Sequence, residues 1–345
     1  MNLKLSLIVG FVLTLFITVG WEVYWRNQGY EPTLDDNKHL WAVQRDRVKD
    51  LTAHDVILTG SSRVLFDIQL DAFEKETGIR PIQLASAGSS PLPIFHDLVE
   101  NTDFKGTIIV GVTPGLFFST TFPDAFPWKR AQTKVTHYQN RTYAQRLNHW
   151  LSVPLQQNLV LMSGHEEEGD ENIDLKGLLR HIRMGDRTGG PQYPPFFEFG
   201  DIDLERNMRM TQQCATDTTF SNAIKNAWKF ILTSGDLPPP DVDGTTAFFV
   251  KDAEKFMARG GNLILVRCPS TGMFQGGEKQ FLPRAKLFDS LVKVTGAKSY
   301  HYEDYPELIG LDCPEWSHLS AEGADYFTTF LAKEMLKDKA IQPKR

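Results

Sequence analysis

The sequence is poor in cysteine and has no strong excess of either charge. Its 345 residues include three cysteines, 37 lysines and arginines, and 43 aspartates and glutamates, giving a net charge of −6. Nucleic-acid binding needs clustered positive charge, so this balance gives no reason to expect a nucleic acid as a partner. The cysteines and histidines do not show the spacing of a metal site, and neither a metal nor another cofactor is expected. The sequence also has no low-complexity tract or internal repeat.

The cysteines are Cys214, Cys268 and Cys313. In an oxidising compartment one pair can form a disulfide and leave an odd thiol. Cys268 with Cys313 is the pair of interest, because both follow segments near the candidate site described below. Three buried, unpaired thiols are the favoured interpretation.

One long apolar run stands at the start of the sequence. Leu5–Trp21 has 17 residues and no charge, which is the short end of the roughly 17–25 residues that span a bilayer as a helix. Lys4 precedes the run and predicts a cytoplasmic N-terminus. Trp21, Tyr24 and Trp25 follow it as an aromatic belt would. The pattern predicts an uncleaved signal anchor over residues 1–26.

Two alternatives to the anchor remain open. Thr18-Val19-Gly20 is compatible with a signal-peptide cleavage site, and an apolar run can also form a buried helix of a soluble protein. The aromatic cluster directly after the run favours the anchor. The expected location is therefore the inner (cytoplasmic) membrane, crossed once, with the rest of the chain on the periplasmic, extracytoplasmic side.

Beyond the anchor, a juxtamembrane linker and helix (residues 27–54) lead into alternating strand and helix signals. Continuous apolar runs typical of strands covered on both faces predict strands at Val56–Leu58, Ile82–Ala85, Thr107–Val112 and Asn262–Arg267, with a weaker one at Ser299–Tyr302. Helical signals lie at a segment capped by Asp67 and ended by Gly78, and at Pro93–Val99, Thr245–Ala258, Pro283–Thr295 and Ser320–Leu336. This rhythm predicts an α/β fold with a parallel sheet and right-handed crossovers.

The rhythm breaks between residues 117 and 240. We interpret this region as a large, mainly helical insertion in which no residue carries a specific chemical signal. Its features are aromatic and proline clusters at Phe122–Trp128 and Tyr193–Phe197, helices around Tyr143–Leu161 and Ile173–Arg183, and a solvated acidic run at Glu166–Glu168. The aromatic side chains suit either a sugar-binding surface or a small core, and the core is favoured.

The chemically interesting residues lie where predicted strands end. Ser62 follows the first strand, and Gly60 allows a sharp turn before it. Open α/β sheets bind their ligands at this edge, where the strands end. A serine needs a neighbouring base to act as a nucleophile. His318 precedes the last helix and can be that base. Glu315, three residues earlier, can orient the imidazole, and Asp312 is a second candidate acid.

Each of these residues also has a simpler interpretation. Serines after a strand usually cap a helix, a single histidine near a helix start is more often structural, and Gly88 alone is an ordinary turn glycine. An oxyanion hole would need fixed donors. The backbone N–H groups of Ser62 and Gly88, with the side chain of Thr113 after the third strand, are the candidates.

Four segments together resemble the SGNH/GDSL hydrolase superfamily. They are Gly60-Ser61-Ser62, Gln83–Gly88, Gly111–Pro114, and Glu315–His318 with its continuation Leu319–Gly323. The resemblance implies a three-layer α/β/α, flavodoxin-like domain over residues 55–340. It also implies a Ser62–His318–Glu315 triad and an oxyanion hole from Ser62, Gly88 and Thr113. The chain departs from the family at Ser61, Glu315 and Thr113, where the family carries Asp, Asp and Asn.

The resemblance leads to a specific functional expectation. A single N-terminal anchor on such a domain is similar to the exported partners of membrane-bound O-acyltransferases. We expect a serine esterase or O-acyltransferase that moves an acyl group, acetyl above all, to or from an envelope glycan, with a membrane-bound O-acyltransferase as partner. The alternatives are a catalytically silent glycan-binding or scaffold protein of the same fold, and a lipase acting near its anchor.

Overall fold

The computed structural model describes residues 3–27, 31–119, 125–162, 194, 196–233 and 240–343. Several sequence predictions lie wholly or partly outside these residues. They are the helix at Ile173–Arg183, the acidic run Glu166–Glu168, and parts of the aromatic and proline clusters, including Phe122-Pro123, Tyr193 and Pro195.

The predicted parallel sheet is present. The strands are β1 (Val56–Thr59), β2 (Ile82–Gln83), β3 (Thr107–Gly111), β4 (Gly200–Ile202), β5 (Met208–Met210), β6 (Asn262–Arg267) and β7 (Lys298–His301). Five of them form one parallel sheet in the order β2-β1-β3-β6-β7. The strand order reverses at β1, so the carboxyl ends of β1 and β3 border the crevice where such sheets place their ligands.

Both faces of the sheet are buried, as the continuous apolar runs predict. Leu58, Ile109 and Ile264 enter one hydrophobic core, and the alternate residues Ile57 and Ile108 enter a second core on the other side. We call these the front and back faces. Because successive side chains of a strand point to opposite faces, a strand with only apolar residues needs helices on both sides.

The described helices are α1 (Leu3–Asn27), α2 (Lys38–Arg47), α3 (Ser62–Asp67), α4 (Leu70–Thr77), α5 (Leu92–Glu100), α6 (Pro114–Phe117), α7 (Phe126–Asn140), α8 (Tyr143–Gln156), α9 (Gln212–Thr216), α10 (Thr218–Thr233), α11 (Val242–Ala258), α12 (Gly272–Phe281), α13 (Phe288–Thr295), α14 (Pro306–Ile309) and α15 (Ala321–Lys337). Short 3₁₀ helices lie at Val48–Asp50, Val160–Met162, Arg284–Lys286 and Tyr302–Asp304. Helices α3, α4 and α15 pack in the front core, and α5, α11 and α13 pack in the back core.

Some predicted boundaries are wrong. Asp67 does not cap a helix. It ends α3, and its carboxylate accepts the backbone N–H of Leu319 at 2.9 Å. The helix that follows, α4, begins only at Leu70 and ends at Gly78 in the left-handed conformation, as predicted. The helix predicted over Pro283–Thr295 is divided into a 3₁₀ turn and α13.

The region 117–240 is not only helical in its described part. Besides α7 to α10 it contains the antiparallel pair β4–β5, in which Gly200 lies opposite Met210. The pair packs on the front face beside α3, where the Phe66 and Phe199 rings stack at 5.3 Å. A Cβ on Gly200 would lie 2.5 Å from the Phe66 ring, so this contact requires glycine.

The segment predicted as a juxtamembrane linker is fixed to the domain by Arg206. This side chain is fully buried and makes two hydrogen bonds to Asp36, at 2.6 and 2.8 Å. It also donates to the carbonyls of Gln83 (2.9 Å) and Ala85 (2.8 Å) at the end of β2. One guanidinium therefore holds the linker, the β4–β5 turn and the edge strand together.

Helix α1 is the one helix among the described residues that is long and apolar enough to cross a membrane. It has 25 residues and a mean hydropathy of 2.2 over its most apolar window. Its apolar side chains are exposed from Leu3 to Tyr24, and only Glu22 is buried. The helix extends beyond the run Leu5–Trp21 at both ends.

Replacing Arg206 should destabilise the domain strongly. Arg206→Ala leaves the Asp36 carboxylate and two buried carbonyls without their donor, and we expect a loss of about 3–5 kcal/mol in the free energy of unfolding. Denaturant unfolding of the full chain in detergent micelles measures it. Arg284→Ala is the matched control, because Arg284 pairs with Asp289 and Asp304 at an exposed site and should cost less than about 1 kcal/mol. Equal losses for both variants would contradict the assigned role of Arg206.

Candidate active site

The turn after β1 presents Ser62 at the start of α3. Gly60 makes this turn possible, because a Cβ there would lie 2.5 Å from Val64 Cγ2 and 3.3 Å from the Gly111 backbone. Ser61 is the N-cap of α3, and its hydroxyl accepts the N–H of Arg63 at 3.4 Å. The simpler interpretation of these serines as helix caps thus holds for Ser61. Ser62 is partly exposed, and the partner of its hydroxyl is the imidazole of His318.

The structure brings Ser62, His318 and Glu315 together in one hydrogen-bonded row. His318 Nε2 lies 2.8 Å from Ser62 Oγ, and His318 Nδ1 lies 3.0 Å from Glu315 Oε1. Both distances are those of good hydrogen bonds. Asp312, the second candidate acid, is exposed, and the carboxylate that contacts the imidazole is that of Glu315.

Glu315 is completely buried and has more partners than the sequence indicates. Its Oε1 also accepts the backbone N–H groups of His318 (2.6 Å) and Ser317 (3.1 Å). Its Oε2 accepts the indole N–H of Trp228 at 2.5 Å. Burial opposes ionisation, but the charge of His318 and these hydrogen bonds outweigh it and lower the pKa of Glu315. In the neutral imidazole, an ionised Glu315 favours the tautomer with its proton on Nδ1, which leaves the Nε2 lone pair facing Ser62.

Trp228 is a site residue that sequence reasoning missed. It lies on α10, inside the region in which no residue carried a chemical signal. An indole N–H can reach a carboxylate nearly ninety residues away only through the fold, so no local pattern could have revealed it. Of the aromatic rings around the site, only Phe196 lies in one of the clusters that the sequence indicated.

Aromatic rings enclose the imidazole of His318. The Phe66 ring lies 4.5 Å and the Phe199 ring 5.6 Å from it, centroid to centroid. Phe196 packs on Trp228 at 4.9 Å, and Trp228 on Phe274 at 5.6 Å. His318 itself is only 1% exposed. Water is therefore excluded from the imidazole on these sides, which strengthens its hydrogen bonds.

The loop after β2 lies against the serine turn. The N–H of Ser86 donates to the Gly60 carbonyl at 3.0 Å, which brings residues 86–88 alongside β1. Gly88 has φ +59°, a conformation that favours glycine. A Cβ on Gly88 would lie 2.7 Å from Arg130 Nη1. The guanidinium of Arg130, on α7, therefore rests directly on this loop.

Thr113 contacts Ser61, the residue directly before Ser62. Its hydroxyl is 2.7 Å from the hydroxyl of Ser61, and either group can be the donor. If Ser61 donates, the Thr113 proton is free for another acceptor. If Thr113 donates, its proton is occupied. Thr113, which the resemblance implies as an oxyanion donor, therefore lies next to the turn that carries Ser62. The direction of its hydrogen bond with Ser61 decides whether its proton is available to an oxyanion.

A buried ionic network supports the site from the side of α12. Glu278 accepts from Arg63 Nη1 at 2.8 Å and from Ser270 Oγ at 2.9 Å, and it also pairs with Arg267. Burial opposes its ionisation, but the two guanidinium groups lower the pKa of Glu278. Arg63 Nε in turn donates to Ser317 Oγ at 3.4 Å. The network connects Arg63, directly after Ser62, with Ser317, directly before His318.

Asp67 and two cysteines lie in the same buried layer. Burial, which the Leu319 N–H only partly offsets, raises the pKa of Asp67 well above its usual range. All three cysteines are buried and unpaired, as favoured from the sequence, and Cys268 and Cys313 do not form a disulfide. Burial and the nearby Asp67 raise the pKa of both thiols. Protonated thiols are poor nucleophiles, so these cysteines are packing residues.

One cluster of metal-capable side chains occurs among the described residues. It consists of His96, Glu100 and Asp252, on α5 and α11 at the back face. His96 Nδ1 lies 2.9 Å from Asp252, and Glu100 pairs with Lys255, so its members have protein partners. The Ser62 row contains no comparable set of ligands.

Comparisons with known proteins add no assignment. No protein-family model matches the chain, and no curated protein sequence matches it significantly.

The raised pKa of Asp67 predicts a pH-dependent effect of Asp67→Asn. The folded state holds this proton more tightly than the unfolded chain, so the wild type loses stability as pH rises above the ordinary aspartate value of 3.8. The variant cannot ionise there. Its stability relative to wild type should rise by up to about 1.4 kcal/mol per pH unit in that window.

Denaturant unfolding in micelles at pH 4.5, 6 and 7.5 measures the difference. Asp312→Asn, at an exposed carboxylate, is the matched control and should show a much smaller change with pH. A constant difference between Asp67→Asn and wild type would show that Asp67 ionises normally.

Proposed function

We propose that this protein is a serine esterase or acyltransferase that acts on an ester through Ser62, His318 and Glu315. The observation that carries the proposal is the unbroken hydrogen-bonded row, with 2.8 Å between Ser62 and His318 and 3.0 Å between His318 and Glu315. A serine needs such a base, and the base needs an acid that fixes its tautomer.

In the proposed reaction Ser62 Oγ attacks the ester carbonyl carbon while His318 Nε2 takes the hydroxyl proton. The N–H groups of Ser62 and Gly88, with the Thr113 hydroxyl, stabilise the oxyanion. Collapse of the tetrahedral intermediate breaks the ester C–O bond, and His318 gives its proton to the leaving alcohol. Water or an acceptor hydroxyl then attacks the acyl-Ser62 ester, with His318 again as base. Water completes hydrolysis, and another hydroxyl completes acyl transfer.

The arrangement of the sheet supports an SGNH-like fold. Counted within the main sheet alone, the strand order is 2-1-3-4-5, the order of flavodoxin-like folds. Ser62, the Gly88 loop and Thr113 follow the first three of these strands. His318 returns just before the last helix. The segments that carry the resemblance to the SGNH/GDSL superfamily thus meet at one edge of the sheet.

The substrate and location are proposed from less direct support. Helix α1 supports a single-pass anchor, with the domain on the periplasmic side of the inner membrane. The row Phe196–Trp228–Phe274 beside Glu315 offers an aromatic wall suited to a sugar ring or an acyl group. Together with the resemblance, these features favour acetyl transfer to or from an envelope glycan, alongside a membrane-bound O-acyltransferase.

A silent glycan-binding or scaffold protein is the second candidate. The contact between Thr113 and Ser61 favours it, since it can occupy the proton that an oxyanion would need. The buried and ionised Glu315 favours the enzyme. A scaffold has no need to bury a carboxylate behind a histidine, because desolvating such a pair is costly. A lipase would differ from both in preferring long-chain esters to acetyl esters.

Ser62→Ala should reduce turnover of an aryl acetate to the rate in buffer alone, because the acyl-enzyme cannot form without the hydroxyl. Release of the phenol measures turnover by the full chain in micelles. Ser290→Ala, on the exposed surface of α13, is the control and should retain full activity. Undiminished turnover by Ser62→Ala would exclude this serine as the nucleophile.

Thr113→Val tests the third donor of the oxyanion hole. If the Thr113 hydroxyl stabilises the oxyanion, we expect kcat to fall by about 10²–10³-fold with a small change in KM. Thr113→Ser keeps the hydroxyl and should stay within about tenfold of wild type, a barrier difference of about 1.4 kcal/mol. An unchanged kcat in Thr113→Val would mean that the hydroxyl only holds Ser61.

A further inference from the structure

Helix α8 presents its apolar residues outwards. The exposed side chains form one stripe along the helix, made of Tyr143, Leu147, Trp150, Leu151 and Leu155. Trp150 is 70% and Tyr143 88% exposed. Residues spaced by three, four and seven lie on one side of a helix. We call this set the outer stripe.

The opposite side of α8 faces the domain and is polar except for Val153, which packs on the front core. His149 is buried and stacks on His39, with ring centroids 5.8 Å apart. Gln156 is buried and exchanges two hydrogen bonds with Asp35, at 3.1 and 3.4 Å. A surface helix of a soluble protein has the reverse arrangement, with its apolar side on the core. The outer stripe is therefore not explained by packing within the domain.

The chain after α8 is fixed to the C-terminal end of α1, around Glu22 and Arg26, which we call the foot of α1. The chain leaving α8 enters the 3₁₀ turn Val160–Met162, whose first two N–H groups donate to the Glu22 carboxylate at 2.9 and 3.1 Å. Arg26 pairs with Glu22 at 2.7 Å and donates to the Asn158 carbonyl at 2.8 Å. Glu22 directly follows the apolar run that ends at Trp21. The outer stripe thus begins beside the point where α1 would leave the bilayer.

We propose that α8 lies in the headgroup region of the membrane, with the outer stripe inserted among the lipids. This proposal rests on the proposed membrane location of α1. The lipid surface is what covers the outer stripe. Tryptophan and tyrosine prefer this depth of the membrane. Trp150 on α8 is exposed, as are Trp21 and Tyr24 near the end of α1. The exposed Arg146 at the edge of the stripe suits anionic headgroups.

Two membrane contacts would fix the orientation of the domain. Anchored by α1 alone, the domain would be held only by the few hydrogen bonds at the end of α1 and would keep some freedom to tilt there. A second contact through α8 removes that freedom, because α8 packs on α2 and α2 packs on β2. The edge of the sheet that carries Ser62 would then keep one orientation to the bilayer.

A depth measurement on the full chain tests the proposal. Leu147→Cys and Leu151→Cys are labelled with an environment-sensitive fluorophore in phosphatidylcholine and phosphatidylglycerol nanodiscs, since the natural cysteines are buried. Ile309→Cys is the matched control, an exposed apolar position at the end of α14. Gly10→Cys, in the middle of α1, reports whether that helix is inserted.

We expect blue-shifted emission at positions 147 and 151, severalfold quenching by lipids that carry a shallow quencher, and protection from iodide. The label at 309 should show unshifted emission, no quenching by the lipids and quenching by iodide. The label at 10 should be quenched by lipids that carry a deep quencher. Labels at 147 and 151 that iodide quenches like that at 309 would overturn the proposal. With a deep label at 10, this result would leave the anchor intact and exclude lipid as the occupant of the outer stripe. A water-exposed label at 10 would overturn the anchor as well.

Discussion

The site depends on one buried carboxylate, that of Glu315. Within the turn from Glu315 to His318, Oε1 accepts two backbone N–H groups and the imidazole N–H, while Trp228 binds Oε2 from a distant helix. Trp316, inside this turn, has φ +81°, an unfavourable value for a tryptophan. The hydrogen bonds to Glu315 hold the turn in this conformation. The same contacts that close the turn also aim His318 at Ser62.

A network of polar and charged side chains spans both sides of the Ser62 row. Arg63, directly after Ser62, and Arg267, at the end of β6, share Glu278. Asp67 holds the N–H of Leu319, directly after His318. Arg63, Arg267 and Asp67 are buried, and Arg63 and Asp67 reach the neighbours of His318 through Ser317 and Leu319. Breaking one buried partner leaves another unpaired, which is far costlier than losing an exposed pair. Such a network resists displacement of the site as a whole.

The sheet could be predicted because its signals are local, and the Ser62 row because four short segments together resemble one known superfamily. Continuous apolar runs predict strands buried on both faces, and their order along the chain places Ser62, Gly88 and Thr113 at one edge. Arg206, Glu278 and Trp228 could not be found, since each acts through a partner far away in sequence. Asp67 was misinterpreted as a cap for the same reason. Its true partner, Leu319, lies over 250 residues later. The pattern of α8 was visible as a helix, but only the fold shows that its apolar side faces outwards.

The most direct test of the central claim is labelling with a fluorophosphonate, followed by intact mass and peptide mapping. An activated serine attacks phosphorus and displaces fluoride, and an unassisted serine does not. We expect one adduct per chain, on Ser62, with labelling slowed by about 10³-fold or more in His318→Ala. Heat-unfolded protein, in which the row is lost, should not be labelled. A folded wild-type chain that remains unlabelled, or is labelled equally well without His318, would contradict the account.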